Sequence, residues 1–319
     1  MKKWGVTILV VVVVAIAIII VATRKKEPTA VKFGYQPVAS NYPFFVALEK
    51  GFFEDEGLRV KPVKFQSSNT AAEAMVTGRI VSDASTTMTV LLGIEARSPG
   101  QLKAYAFQTH TKTDFLESII VRKGAGIRSL SDLKGKKIGI FPGSFNKKIT
   151  ELVLKDFLDP EEDVTLVPMA PPLQLQALSS GQVDALVSYE PTTSIALEKG
   201  LAEVLEHAPW EKHVMDPFPA VAYCLPTKFI ETNPDVARRI VRAMYKAIDY
   251  IRNHPVEAAR TIPKYTPVER NLAAKLNQPL QQKADEVDRD AVQKVSDLLY
   301  SAGILEKKVE TRNIYYEAE

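Results

Sequence analysis

KIGIFPGSFNKKITELVLKDF, residues 137–157, reads as a strand, a turn and a helix in direct order. Lys137–Phe141 is a short apolar strand, Gly143-Ser144 turns the chain, and Lys147–Phe157 has the spacing of an amphipathic helix. Val164–Val167 is the next strand. Leu173–Leu178 forms a helix closed by Ser180-Gly181, and Asp184–Tyr189 is a third strand. Upstream the same order occurs. Ala30–Tyr35 is a strand, and Asn41-Tyr42-Pro43 opens a helix that Gly51 ends. Leu58–Phe65 is a strand whose Pro62 points to an irregular or edge position, and Ser68-Asn69-Thr70 caps a helix over Ala71–Thr77. Alternating strands and helices predict an α/β fold with a largely parallel sheet, and the repeat predicts two similar lobes. Two extended segments, Ser118–Arg122 and Ala220–Leu225, are assigned to the connection between them. The last third is helical: Asn233-Pro234-Asp235 caps a long helix with an apolar stripe at Val236, Ile240, Met244, Ile248 and Ile251, and a later helix covers Ala291–Ala302.

Hydrophobic residues make up 46% of the 319 and charged residues 25%, which is the composition of a folded globular chain. The net charge of +3 comes from the first 26 residues, which hold Lys2, Lys3, Arg24, Lys25 and Lys26 and no acid; in the rest, acids slightly outnumber bases. With no basic stripe, a nucleic-acid-binding role is set aside. Val6–Ala22 is almost entirely Val, Ile, Ala and Leu. As a helix it would span roughly 26 Å against a hydrocarbon core of about 30 Å. It reads as a cleaved secretory signal ending at Ala22 or as an uncleaved signal-anchor, and Ile20 is a poor residue for the cleavage pattern. Either way residues 27 onward are expected outside the cytoplasm, held to the membrane if the segment stays. Cys224 is the single cysteine, so no internal disulfide forms, and it reads as a small core residue. The four histidines (His110, His207, His213, His254) lack metal-ligand spacing. No catalytic residue, metal or cofactor is expected.

Several phrases, in order, carry a resemblance. They are Tyr35-Gln36-Pro37, then Phe45-Val-Ala-Leu-Glu-Lys-Gly-Phe-Phe-Glu-Asp-Glu-Gly-Leu58, Ser131-Asp-Leu-Lys-Gly-Lys-Lys-Ile-Gly139, Gly181-Gln-Val-Asp-Ala185 and Glu190-Pro191. Together, over roughly residues 30–255, they resemble the sulfonate/nitrate/taurine-type substrate-binding proteins of ABC importers, a family that also includes binders of thiamine precursors. The resemblance implies a two-lobed periplasmic-binding-protein (type II) fold with a central cleft. Lobe 1 is expected at 30–122 and 220–319, and lobe 2 at 123–219. Two departures stand near the expected site. Where the family often has Gly-x-x-Asp-Ala, this chain has Gly78-Arg-Ile-Val-Ser-Asp83-Ala84, an acid displaced by two residues; and Lys147 stands where sulfonate binders often carry a histidine.

Ligands of open α/β sheets bind beyond the carboxyl ends of the strands, where helices begin with unpaired N–H groups. The candidate ligand-binding residues at such junctions are Gln36, Asn41, Tyr42, Ser67, Thr86, Thr87, Gly143, Ser144 and Asn146, joined by Ser118 and Tyr223 on the connecting segments and by Glu190. Bland readings stand beside each: Ser144 and the threonines can be simple helix caps, Glu190 can cap a helix instead of accepting from an amine or amidine, and the tyrosines can be core. The implied function is capture of a small organic anion, zwitterion or heterocycle by a monomer, for delivery to an ABC permease with its cytoplasmic ATPase. The alternatives are a ligand-sensing domain that signals to a membrane partner, and an enzyme like the fungal pyrimidine-precursor synthases, whose Cys-rich motif this chain lacks.

Overall fold

The computed structural model describes residues 27–266 and 268–318. Among the described residues eleven strands lie in two sheets. The first has six, ordered β11-β4-β10-β3-β1-β2; the second has five, ordered β7-β6-β8-β5-β9. In chain order they are β1 (Thr29–Tyr35), β2 (Leu58–Lys64), β3 (Ser82–Thr87), β4 (Leu102–His110), β5 (Glu117–Arg122), β6 (Lys137–Ile140), β7 (Thr165–Pro168), β8 (Ala185–Tyr189), β9 (Ala202–His207), β10 (Phe218–Pro226) and β11 (Leu280–Lys283). Set side by side, β2-β1-β3-β10-β4 and β7-β6-β8-β5-β9 have one topology: three parallel strands, then an antiparallel strand paired with a fifth. The two lobes repeat each other, and each sheet is mixed. Pro62 sits in edge strand β2, where a missing N–H breaks no ladder.

The segments taken as connectors are central strands. Ser118–Arg122 is β5, paired on both sides in the second sheet, so the first lobe gives up this stretch of 30–122; Ala220–Leu225 lies inside β10 in the first sheet. Their apolar runs, SIIVR and AVAYCL, are those of strands covered on both faces. The links between lobes are residues 111–116 and 208–217.

Helices fill the steps between strands: α1 (Tyr42–Glu49), α2 (Ser68–Val76), α3 (Met88–Arg97), α4 (Ser144–Leu154), α5 (Pro171–Ser179), α6 (Thr192–Glu198), α7 (Pro209–His213), α8 (Pro234–Asn253) and α9 (Arg289–Ser301). One face of the first sheet packs Phe33, Tyr105 and Tyr223 against Phe44 and Phe45 of α1 and the Ile240, Met244 and Ile248 stripe of α8. The other face packs Ala104, Phe107 and Cys224 under Met75, Leu91 and Leu299; this core runs on into the second lobe through Ile119, Ile138, Val153 and Trp210. Among the described residues no helix is long and apolar enough to cross a membrane; Val6–Ala22 lies outside them.

The repeat resolves one departure in the sequence. Val81 N donates to Lys32 O at 2.9 Å in the first lobe, and Asp184 N donates to Lys137 O at 2.8 Å in the second. Phe33 pairs with Ser82 as Ile138 pairs with Ala185. Val81 is therefore the counterpart of Asp184, whose carboxylate accepts from Lys137 N at 3.0 Å. The acid of the first Gly-x-x-Asp-Ala is not displaced; it is replaced by valine. Asp83 is a separate carboxylate at the counterpart of Leu186, a core position.

Candidate functional site

The pairing directions decide where the site lies. β1, β2, β3 and β4 all point the same way, so their carboxyl ends share one edge with the start of antiparallel β10. In the second sheet the carboxyl ends of β6, β7, β8 and β9 share an edge with the start of β5. The first link runs from the end of β4 to the start of β5, and the second from the end of β9 to the start of β10. Both therefore join the same two edges, and Lys112 of one link stands 3.6 Å from Asp216 of the other. The links therefore hold the two edges toward each other, and α1 to α6 begin at them because each follows a parallel strand.

On the first lobe, Asn41 is fully buried; its Oδ1 accepts from Gln36 N at 3.2 Å and its Nδ2 donates to Ser40 Oγ at 3.4 Å. Ser40 Oγ meets Ser85 Oγ at 2.9 Å. Ser40 O accepts from Gln108 Nε2 at 3.4 Å and from Tyr223 Oη at 3.3 Å, and the Tyr223 hydroxyl also donates to Gln281 Oε1 at 2.6 Å. Thr86 donates to Asp83 Oδ2 at 3.3 Å, and Thr87 N donates to Ser68 Oγ at 3.0 Å. Gln36, Asn41, Thr86, Thr87 and Tyr223 thus fall into one neighbourhood. Two candidates have other employment. Tyr42 is core, its hydroxyl donating to Pro255 O at 3.2 Å. Ser67 is the N-cap of α2, accepting from Thr70 N at 3.3 Å; residues 68–70, expected as the cap, form the first turn.

On the second lobe, Gly143 has φ +120 and ψ 151, a conformation open in practice only to glycine. That turn lets α4 start at Ser144, three residues ahead of the expected Lys147. Ser144 is the first helical residue and not the cap, so the leading N–H groups of α4 have no side-chain acceptor. The same holds for α3 after Thr87. Asn146 Oδ1 accepts from the Tyr189 hydroxyl at 2.7 Å, and its Nδ2 donates to Pro142 O at 3.2 Å. Glu190 accepts from Ser194 N at 3.2 Å and Ser194 Oγ at 2.9 Å, the capping arrangement; burial raises its pKa against these bonds. Ser118 Oγ lies 2.9 Å from His207 Nδ1 where the links meet the second sheet; burial, and then Lys212, lower the His207 pKa. Among the described residues no lysine or arginine side chain bonds to any of the twelve candidates.

Aromatic rings gather beside the links. Trp210 lies with ring centroids 5.4 Å from Phe145, 5.7 Å from Tyr189, 5.8 Å from His110 and 5.5 Å from Phe218, and Tyr189 meets Phe141 edge-on at 4.5 Å. In the sequence Tyr189 stands out only as the end of a strand and His110 only as one of four scattered histidines. Trp210 sits in a five-residue helix with no periodicity to mark it, and Ser40 and Gln108 have no local signal either. Cys224 is fully buried in β10, its thiol pushed up by burial and by Asp83, with its one side-chain partner Thr86.

Residues 39–258 match the family described as NMT1/THI5 like. A Bacillus subtilis protein named as an aliphatic sulfonates-binding protein is 26% identical over 300 residues, covering 91% of this chain and 86% of its own length. A 4-amino-5-hydroxymethyl-2-methylpyrimidine phosphate synthase of Saccharomyces cerevisiae is 26% identical over 238 residues, covering 70% of this chain and 67% of its own. Among solved structures, the periplasmic aliphatic sulphonate binding protein of Escherichia coli superposes with a TM-score of 0.74 at 20% identity, covering 92% of this chain and 93% of that one. The two-sheet architecture is that of the periplasmic binding proteins.

Proposed function

The chain belongs to the NMT1/THI5-like family, and from that premise we propose that it is a solute-binding protein whose two lobes close on one small organic molecule. The carrying observation is that both links join the same two sheet edges, so the uncapped starts of α3 and α4 and the hydroxyl and amide groups of both lobes face one cleft. Contacts from both sides favour the closed state over the open one, which is the physical basis of closure.

The groups at those edges favour a zwitterion or heterocycle. The N–H groups at the start of α4 suit a sulfonate or carboxylate. Glu190 suits an amine or amidine, and the half-buried Tyr189 and Phe141 offer apolar ring surface. Nitrate would leave the acid and the rings unmatched. Residence outside the cytoplasm and delivery to an ABC permease with a cytoplasmic ATPase rest on the likeness to sulfonate-binding relatives and on the apolar segment 6–22. The yeast synthase marks the competing reading, chemistry in the same cleft; the one cysteine, dry and protonated inside β10, supplies no nucleophile to it.

The test is a thermal-shift screen of the detergent-solubilised full chain with taurine, methanesulfonate, nitrate, thiamine and its aminopyrimidine precursor, with product analysis by mass spectrometry. A bound compound at a hundredfold excess over Kd adds about 2.7 kcal/mol of stability. Taurine, thiamine or the aminopyrimidine should raise the melting temperature and be recovered unchanged. No shift with any of the five, or conversion of the bound compound, would refute the reading.

A further inference from the structure

The links between the lobes enclose a group of side chains that ligand capture leaves unused. His110 ends β4, Glu117 begins β5, and Glu211 lies in α7 within the second link. All three are buried, at 2%, 0% and 2% exposure. His110 Nδ1 is 2.8 Å from Glu117 Oε2 and 3.7 Å from Glu211 Oε1. One nitrogen and one oxygen from each carboxylate lie within 4.8 Å of one another. No local pattern marks the group, since the three residues are seven and 94 positions apart and share no motif. We propose that this hinge binds one divalent transition-metal ion through His110 Nδ1, Glu117 and Glu211.

The unmet bonding capacity points to a cation. Both oxygens of Glu211 and Oε1 of Glu117 are buried without a hydrogen-bond donor. Among the described residues neither carboxylate pairs with lysine or arginine; the imidazole of His110 is the one nitrogen donor beside them. Buried carboxylates in this state are kept in folded proteins by pairing or by metal coordination. Two ligand atoms each about 2 Å from a zinc-sized ion stand roughly 3.4 Å apart, and the two measured separations bracket that value. A dication with two carboxylates and a neutral imidazole leaves the dry pocket without net charge. The donor set of one imidazole and two carboxylates suits zinc, cobalt or manganese better than calcium or magnesium, which take oxygen alone.

The surroundings hold the donors in place. The His110 ring is stacked on Trp210 with planes 5° apart, Glu117 Oε2 accepts from Leu116 N at 3.3 Å, and Glu117 O accepts from Ala208 N at 3.3 Å. Ala208, just before α7, has φ 52, a left-handed turn that directs the helix carrying Glu211. An ion here would fasten the first link to the second at the pivot of the lobes. The competing account is a proton shared between Glu117 and Glu211, with no metal.

The experiment strips the full chain with a chelator, then titrates it with zinc by calorimetry and with cobalt by visible absorption. Wild type should take up one equivalent of each, with a cobalt spectrum of four or five coordination. Glu211→Gln and Glu117→Gln, which keep side-chain shape, should each weaken binding at least tenfold while circular dichroism stays unchanged. Should either variant not fold, His110→Gln serves in its place with the same expectation. Absence of stoichiometric uptake by wild type, or uptake that survives in the glutamine variants, would overturn the proposal in favour of the shared proton.

Discussion

Replacing Asp83 by asparagine should stabilise the protein above pH 6 and change it little near pH 4. Asp83 is fully buried in β3. Oδ2 accepts from Ser85 N and from the Thr86 hydroxyl, both at 3.3 Å, while Oδ1 has no donor. The nearby titratable groups are Tyr105, Tyr223 and Cys224, none of them cationic. Burial, against those hydrogen bonds, pushes its pKa from 3.8 up to about 6. The sign follows from linkage. Between these values the unfolded chain has released the proton and the folded chain holds it, so the stabilising contribution is whole below pH 3.8 and is lost as pH rises through 6. At roughly 1.4 kcal/mol per pH unit the loss is about 3 kcal/mol at pH 7.5. Asparagine never ionises and keeps an acceptor for Ser85 N–H, at the expense of about 1 kcal/mol if its amide hydrogens stay unpaired. Urea unfolding of both proteins from pH 4 to 8 reads the difference, since every other titrating group cancels. The stability gap in favour of Asp83→Asn should widen by 2–3 kcal/mol, order of magnitude. Parallel curves, or a variant less stable at pH 7.5, would show that the folded protein stabilises the Asp83 carboxylate and would refute the reasoning.

Three further changes separate the roles of individual residues. Gly143→Ala puts a Cβ on a backbone with φ +120; it should weaken binding of whichever compound shifts the melting temperature more than tenfold, read by calorimetry, with circular dichroism unchanged. Ser67→Ala should cost about 0.5–2 kcal/mol in urea unfolding, the value of an N-cap, and leave ligand affinity alone. Ile240→Ala removes a fully buried side chain between α8 and the first sheet, and should cost about 2–5 kcal/mol with no change in affinity.

Much of the fold was legible because its signals are local. Turn residues and apolar periodicity marked β1, β2, β6 and β8 and helices α1, α2 and α8, in places to within a residue. Pro62 announced an edge strand because a proline cannot donate to a ladder. The errors fell where partners are distant in sequence. SIIVR and AVAYCL looked like connectors because nothing local reveals which sheet covers both faces of a strand. Tyr42, a core hydroxyl, and Ser67, a helix cap, have the residue types of binding loops, so local sequence does not separate the roles.

The sequence by itself determined that the chain is an α/β protein with a repeated lobe and with polar, glycine-bearing junctions after its strands, since backbone propensity and side-chain spacing act over a few residues. Only the tertiary structure decided which junctions meet. Pairing β10 between β3 and β4, and β5 between β8 and β9, brings both links to the same two edges and carries His110, Glu117, Trp210 and Glu211 into one buried hinge. Those contacts are set by hydrogen-bond register across sheets, a long-range condition that no run of neighbouring residues records.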